Sequence, residues 1–218
     1  MYFKLHFMQV KVFTFNDFYE NTYILYDDTK ECVIIDPGCN TYREKQELRS
    51  FIEQKHLTPV KLLNTHCHID HILGNHFVYT QWNLSLSAHK GELPVLASGA
   101  QIAHLYNIYY EPSPEIAEFI EHQDIITFGN TTLKALFTPG HSPASLSFYC
   151  AASDVLIAGD VLFRESIGRT DLPGGDYDTL IDSIRRELFT LPDDTVVYPG
   201  HGPSTTIKYE KHHNPFLR

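Results

Sequence analysis

Residues 65–71 read Thr-His-Cys-His-Ile-Asp-His and place four potential metal ligands, His66, His68, Asp70 and His71, within six positions. Neither core packing nor a solvated surface selects for three imidazoles and a carboxylate at this density. Imidazole suits zinc and other first-row metals, and a carboxylate adds a harder oxygen donor. The apolar run over 60–65 reads as a buried strand, so the ligands begin where a strand ends. Extended backbone puts His66 and His68 on one side, and the turn that follows swings Asp70 and His71 toward a neighbouring point. One segment can then supply two ligands to each of two ions. Of the thirteen histidines, His6, His56, His76, His89, His104, His122, His212 and His213 stand outside any such cluster and read as ordinary surface or core residues.

Zinc sites hold about four ligands, and catalytic ones keep a place for water, so two ions need more donors than this cluster offers. Three other apolar strands end in small-residue turns that carry a ligand type. The run over 131–141 ends in Thr-Pro-Gly-His141, that over 154–160 in Gly-Asp160, and that over 195–202 in Pro-Gly-His201-Gly. Glycine beside a strand end lets backbones approach closely around a shared crevice. The simplest allocation gives His66, His68 and His141 to one ion and Asp70, His71 and His201 to the other. Asp160 bridges them, and Asp70 is also placed to orient a nucleophile. Two ions about 3.5–4 Å apart activate a water and clamp a substrate oxygen. The pKa of bound water falls from about 15.7 to about 7, so metal-bound hydroxide is the expected nucleophile. Zinc is the expected metal, with iron and manganese compatible.

In this order, these motifs resemble the metallo-β-lactamase superfamily. The resemblance implies an α/β fold, a four-layer αβ/βα sandwich with the metal site at one edge of its two sheets. The segment Ile-Ile-Asp36-Pro-Gly matches the family's early motif, whose aspartate supports the site without being a direct ligand. Residues 166–175 and the tail over 191–217 are similar to the compact bacterial glyoxalase II-like hydrolases, and the likeness runs over nearly the whole chain from about Val10. It implies a thioester hydrolase, with S-lactoylglutathione the first substrate to try. A different reaction class, the mononuclear iron dioxygenases that oxidise persulfides, would use only His66, His141 and Asp160. A non-catalytic metal-binding module is a third reading, against which the complete ligand set speaks. A true β-lactamase is disfavoured by the missing signal peptide and by Asp160, a bridging ligand where those enzymes carry cysteine.

The loop over 163–175 directly follows Asp160 and must pass close to the ions. Arg164 and Arg169 are its only positive charges and are placed to hold a substrate carboxylate; alternatively Arg169 pairs with Asp171 and fixes the loop. In the larger glutathione-specific glyoxalase II enzymes a lysine and a tyrosine stand where this chain has Arg169 and Asp171, followed by a basic helical extension. The resemblance therefore carries over thioester hydrolysis but not those glutathione contacts. Tyr106, Tyr109 and Tyr110, ahead of a Glu-Pro-Ser-Pro turn, form either a pocket wall or lid, or a helix end packed on the core.

A formal net charge of −10 and the lack of a basic stripe argue against a nucleic-acid partner. No stretch is long and apolar enough for a membrane span, and the start has no signal-peptide character. Four cysteines without CxxC spacing fit a reduced cytoplasmic protein, and Cys67, between two ligands, points away from them by strand alternation. The expected partner is a small thioester substrate. Met8 opens directly onto the first strand, so residues 1–7 read as an extension and 8–218 as one metallo-hydrolase domain. Strands are expected around 10–15, 20–27, 31–36, 60–65, 84–87, 124–128, 131–138, 145–150, 154–159 and 195–199. Helices are expected at 42–55, near 75, at 91–105 and at 177–189, in two blocks that fit a layered arrangement.

Overall fold

Strands such as Asn21-Thr-Tyr-Ile-Leu-Tyr26 and Val155-Leu-Ile-Ala158 are apolar on both faces, so their sheets must be covered on both sides. The computed structural model, which describes residues 8–218, meets this demand with two six-stranded sheets and helices outside them. The expected extension over 1–7 lies outside the described residues. In chain order the first half contains β1 (Gln9–Phe15), β2 (Glu20–Tyr26), β3 (Glu31–Ile35), α1 (Tyr42–Lys55), β4 (Thr58–Leu63), α2 (Ile69–Ile72), α3 (Asn75–Trp82), β5 (Leu86–Ala88), α4 (Leu93–Leu105) and β6 (Ile116–Phe119). The second contains β7 (Ile125–Phe128), β8 (Thr131–Phe137), β9 (Leu146–Cys150), β10 (Val155–Gly159), β11 (Leu162–Phe163), β12 (Ser166–Ile167), α5 (Tyr177–Ser183), β13 (Val196–Pro199), β14 (Thr205–Thr206) and α6 (Ile207–His213). The first sheet runs β1-β2-β3-β4-β5-β6 and the second β14-β13-β10-β9-β8-β7; β11 and β12 form a separate small hairpin.

Period-two alternation sends neighbouring residues into different cores. Ile24, Ile34 and Leu62 pack outward against Leu48 and Ile52 of α1, Val78 of α3 and Ala103 of α4. Their chain neighbours Leu25, Ile35 and Leu63 turn inward to meet Leu133, Ala135, Phe148 and Ile157 of the second sheet. On the far side, Leu136, Leu156 and Ala158 meet Leu180 and Ile181 of α5 and Ile207 of α6. Three cores separate four layers, helix, sheet, sheet and helix, as expected for the αβ/βα sandwich.

α1 is legible because its ends are signalled. Thr41 and Glu44 form a capping box, and His56 closes the helix in the left-handed conformation. Elsewhere the chain departs from the sequence reading. β6 follows the tyrosines and the Glu-Pro-Ser-Pro turn where no strand is expected; with only four residues, three of them exposed, it leaves almost no periodic signal. The helix expected over 177–189 is α5 followed by a π turn over Ile184–Leu188. The hairpin of β11 and β12 and the closing pair β14 and α6 are additions to the expected elements. They begin from two-residue strands, too short for alternation to register. Among the described residues, no helix is long and apolar enough to cross a membrane, and all four cysteines are free and buried.

Strand direction positions the functional edge. β8 and β10 both run antiparallel to β9, and β13 runs parallel to β10, so all three leave the second sheet at one edge. β3 and β4 are parallel and leave the first sheet together. The two sheets are joined there by the Leu146 N–H donating to the Thr65 carbonyl at 2.7 Å. At the opposite end Asp27, 1% exposed, accepts from the Thr29 N–H (2.9 Å) and hydroxyl (2.5 Å), and from the Asn130 N–H (2.7 Å) and Thr131 hydroxyl (2.9 Å). One carboxylate thus ties the β2–β3 turn to the β7–β8 turn. Asp27→Ala strands these buried donors and is expected to cost about 3 kcal/mol, measured by urea unfolding of metal-free protein. A loss below about 0.5 kcal/mol would mean the link carries no stability.

Candidate metal centre

All seven residues expected as ligands meet at the shared edge of the two sheets. His66 and His68 follow β4, and the tight turn of α2 brings Asp70 and His71 back beside them. His141 follows β8, Asp160 follows β10 and His201 follows β13. Donor atoms of His66, His68 and His141 lie within 4.8 Å of one another, as do those of Asp70, His71 and His201. Asp160 faces both triads: its Oδ2 is 3.5 Å from His141 Nε2 and 3.5 Å from His201 Nε2, and its Oδ1 is 3.4 Å from His71 Nε2. Gly200 makes this closeness possible, because a Cβ there would stand 2.0 Å from Asp160 Oδ1 and 2.8 Å from His71 Cε1. Among the described residues, no other histidine joins these groups.

Hydrogen bonds behind the imidazoles choose which nitrogen faces inward. His141 Nδ1 donates to the Arg169 carbonyl at 2.8 Å, and His201 Nδ1 to the Phe18 carbonyl at 3.1 Å. His71 Nδ1 donates to Asp36 Oδ2 at 3.2 Å, and His66 Nδ1 lies 3.1 Å from the Thr65 hydroxyl. In each ring Nε2 is left as the inward lone pair. His68 turns its Nδ1 inward, 2.9 Å from His141 Nε2, a separation that a shared proton or a cation must bridge. His66 Nε2, His71 Nε2 and Asp160 Oδ1 are buried and have no hydrogen-bond partner. Unpaired buried polar atoms are costly and rare, and here they are lone pairs converging on two points. The donor set fits divalent metal ions.

Asp36 is the expected support. Its carboxylate accepts from the Thr65 N–H (2.7 Å), the Thr65 hydroxyl (2.5 Å) and Asn64 Nδ2 (3.1 Å), besides holding His71. Proximity alone would group it with His66 and His71 as a third donor, but its oxygens are already committed to these partners. It holds a left-handed backbone at φ 49°, a strained position for a non-glycine residue that the surrounding bonds enforce.

The triads differ in charge. Burial, then the neighbouring imidazoles, keeps the His66 pKa well below its ordinary value, and burial, then His141, takes His68 down to about 4. In the other triad burial also opposes charge, but Asp70 and Asp160 outweigh it and raise His71 well above the ordinary value. His201 rises to about 9, where hydrogen bonds to Asp160 and Asp70 overcome burial. Burial opposes ionisation of Asp160 too, yet His71 and His201 hold it well below the usual carboxylate range.

The substrate candidates are placed less uniformly. Arg169 makes a two-point pair with Asp171, Nε to Oδ1 and Nη2 to Oδ2 both at 2.7 Å, the loop-fixing alternative. Arg164 lies 5.1 Å from the centre of the Tyr209 ring and has no acidic partner among the described residues. Tyr106 meets Phe18 edge-on at 5.6 Å, and Tyr109 is exposed. Tyr110 is half-buried, its hydroxyl accepting from the Ser113 N–H at 3.0 Å, which favours packing over recognition for that ring. Sequence reasoning missed Glu20, Asn64 and Glu92, all fully buried behind the ligands. Glu20, at the head of an otherwise uncharged strand, carried the one available signal.

The family model of the metallo-β-lactamase superfamily matches residues 16–201. The "Probable metallo-hydrolase YqgX" of Bacillus subtilis is 40% identical over 201 residues, 90% of this chain and 92% of its own. Hydroxyacylglutathione hydrolase GloC of Haemophilus influenzae is 38% identical over 216 residues, 96% of this chain and 98% of its own. The solved structure of BLEG-1, a B3 metallo-β-lactamase, matches with a TM-score of 0.88 at 37% identity, covering 96% of this chain and 99% of that one. TTHA1623, solved in a di-iron-bound form, matches with a TM-score of 0.87 at 33% identity, covering 95% of this chain and 100% of that one.

The charge difference predicts an order of metal loss. Without an ion, His71 and His201 are protonated at neutral pH, their pKa values being raised, so an ion there must displace protons and binds less tightly as pH falls. His68 meets no such competition until about pH 4. If each triad holds an ion, dialysis at steps from about pH 8 to about pH 5, read by elemental analysis, should take the protein from about two ions per chain to about one. Simultaneous loss of both would contradict the charge assignment.

Proposed function

Because the chain belongs to the metallo-β-lactamase superfamily, we propose that its centre holds two divalent ions and hydrolyses thioesters of the glyoxalase II kind, with S-lactoylglutathione the first to test. The observation that carries this reading is Asp160, one carboxylate that stands within 3.5 Å of nitrogens in both ligand triads. His66, His68 and His141 would hold one ion, Asp70, His71 and His201 the other, with Asp160 between them. Two such ions, when bound, lower the pKa of a shared water to about 7 and polarise a substrate carbonyl. Zinc is the first metal to test, and iron and manganese suit the same donors. The kinship with GloC, named for hydroxyacylglutathione hydrolysis, supports the thioester.

The chain's own groups supply the rest. Asp70 Oδ2 lies 3.1 Å from His201 Nε2, so the two would face the same ion, and Asp70 Oδ1 would be left to accept a hydrogen bond from the attacking water and orient it. The His141 and His201 rings are held from behind by backbone carbonyls, so their inward nitrogens need no reorganisation before reaction. A thiol leaves with a pKa near 8.5, so the reaction needs no dedicated acid to protonate it. Phe163 lies edge-on to His201 at 6.2 Å and, with Phe18 and Tyr106, gives the site an apolar flank. Arg164, free of any carboxylate partner among the described residues, is the residue left to receive an anionic group of the substrate. The same proposal includes a cytoplasmic setting and no nucleic-acid or membrane partner, in keeping with a net charge of −10.

Purified protein assayed with S-lactoylglutathione and other thioesters tests this reading. Asp160→Ala and His66→Ala should lose metal and turnover together, whereas Arg164→Ala should raise KM about tenfold with kcat little changed. Full turnover in metal-free protein, or oxygen uptake on a persulfide with one iron per chain, would contradict it.

A further inference from the structure

Glu92 is fully buried and has no lysine or arginine partner among the described residues. Its carboxylate is instead saturated by the two segments that carry one ligand triad. Oε2 accepts from the N–H of Cys67, the residue between His66 and His68, at 2.9 Å. Oε1 accepts from the Ala144 N–H at 2.9 Å and from the Ser142 hydroxyl, both in the turn just after His141. The side chain is itself anchored, since it stands at the head of α4 where the Glu92 N–H donates to the His89 carbonyl at 3.0 Å. The turn before it packs directly on the 142–144 loop, because a Cβ on Gly91 would come within 2.6 Å of the Ala144 Cβ.

The second triad is held by other groups. Asp36 grips His71, Asn64 Nδ2 donates to the His71 carbonyl at 3.0 Å, Asn16 Nδ2 donates to the Asp70 carbonyl at 3.1 Å, and the Phe18 carbonyl accepts from His201. None of these contacts involves Glu92.

We propose that Glu92 is a positioning residue for the His66, His68 and His141 triad alone, clamping the two ligand segments at the spacing that lets three imidazoles converge on one ion. This rests on the reading of the centre as a two-ion site. A carboxylate is required because every group it meets is a donor: glutamine has the same shape but turns an NH2 toward at least one buried donor and leaves that donor unpaired.

Chelator-stripped full-length protein titrated with Co(II), followed by the d–d absorption bands, tests the assignment. His68→Ala and His201→Ala identify which binding step belongs to which triad. Glu92→Gln should weaken the step lost in His68→Ala by about ten- to a hundredfold and leave the other within about twofold. Equal weakening of both steps, or of neither, in a variant folded by circular dichroism would overturn the proposal. If Glu92→Gln does not fold, Ser142→Ala decides, since it removes one donor to the same carboxylate. A selective loss in the same step supports the proposal, and unchanged selectivity overturns it. Wild-type protein that takes up no Co(II) would overturn the two-ion reading itself, a failure distinct from that of Glu92.

Discussion

Buried lone pairs without partners organise this molecule. Taking a polar atom out of water costs free energy unless something replaces its hydrogen bond. His66 Nε2, His71 Nε2 and Asp160 Oδ1 are buried with nothing to bond. They are also aimed at one another, with His71 Nε2 only 3.4 Å from Asp160 Oδ1. A fold that brings such groups together needs a cation to offset the cost, or protons in its place. Raised pKa values let His71 and His201 take up such protons in one triad, whereas in the other burial opposes protonation of His66 and His68.

The architecture serves that convergence. Each ligand segment begins where a strand stops, and strand direction brings those ends to one edge of two sheets that share an apolar core. Rigidity comes from the polar groups behind the ligands rather than from the ligands themselves. Asp36 joins the end of β3 to Thr65 and His71, Glu92 joins the head of α4 to both segments of the His66, His68 and His141 triad, and backbone carbonyls fix His141 and His201. Outer partners of this kind orient metal ligands and set their tautomer. The sandwich is thus a frame that holds each donor from two sides.

Legibility in the sequence followed the range of the interaction. The seven ligand candidates could be read because four of them crowd into six positions and each of the others ends an apolar run in a glycine turn. α1 could be read because its cap and its apolar stripe are local. Glu92 could not, because its partners stand 25, 50 and 52 residues away and nothing near it in the chain hints at them. Glu20 is marked only as a lone charge at the head of an apolar strand, and its place beside His71 and His201 comes from pairing across 51 and 181 residues. β6, β11, β12 and β14 are too short for alternation to register. The sequence left Arg169 between substrate and Asp171, and only side-chain geometry could separate these: two bonds at 2.7 Å favour Asp171.

In the proposed centre one carboxylate, Asp160, serves two ions. Crystals of metal-loaded protein, with diffraction collected on either side of the metal's absorption edge, test it directly. Two anomalous peaks per chain are expected, one among His66, His68 and His141, the other among Asp70, His71 and His201, with Asp160 reaching both. A single peak bound only by His66, His141 and Asp160 would contradict it.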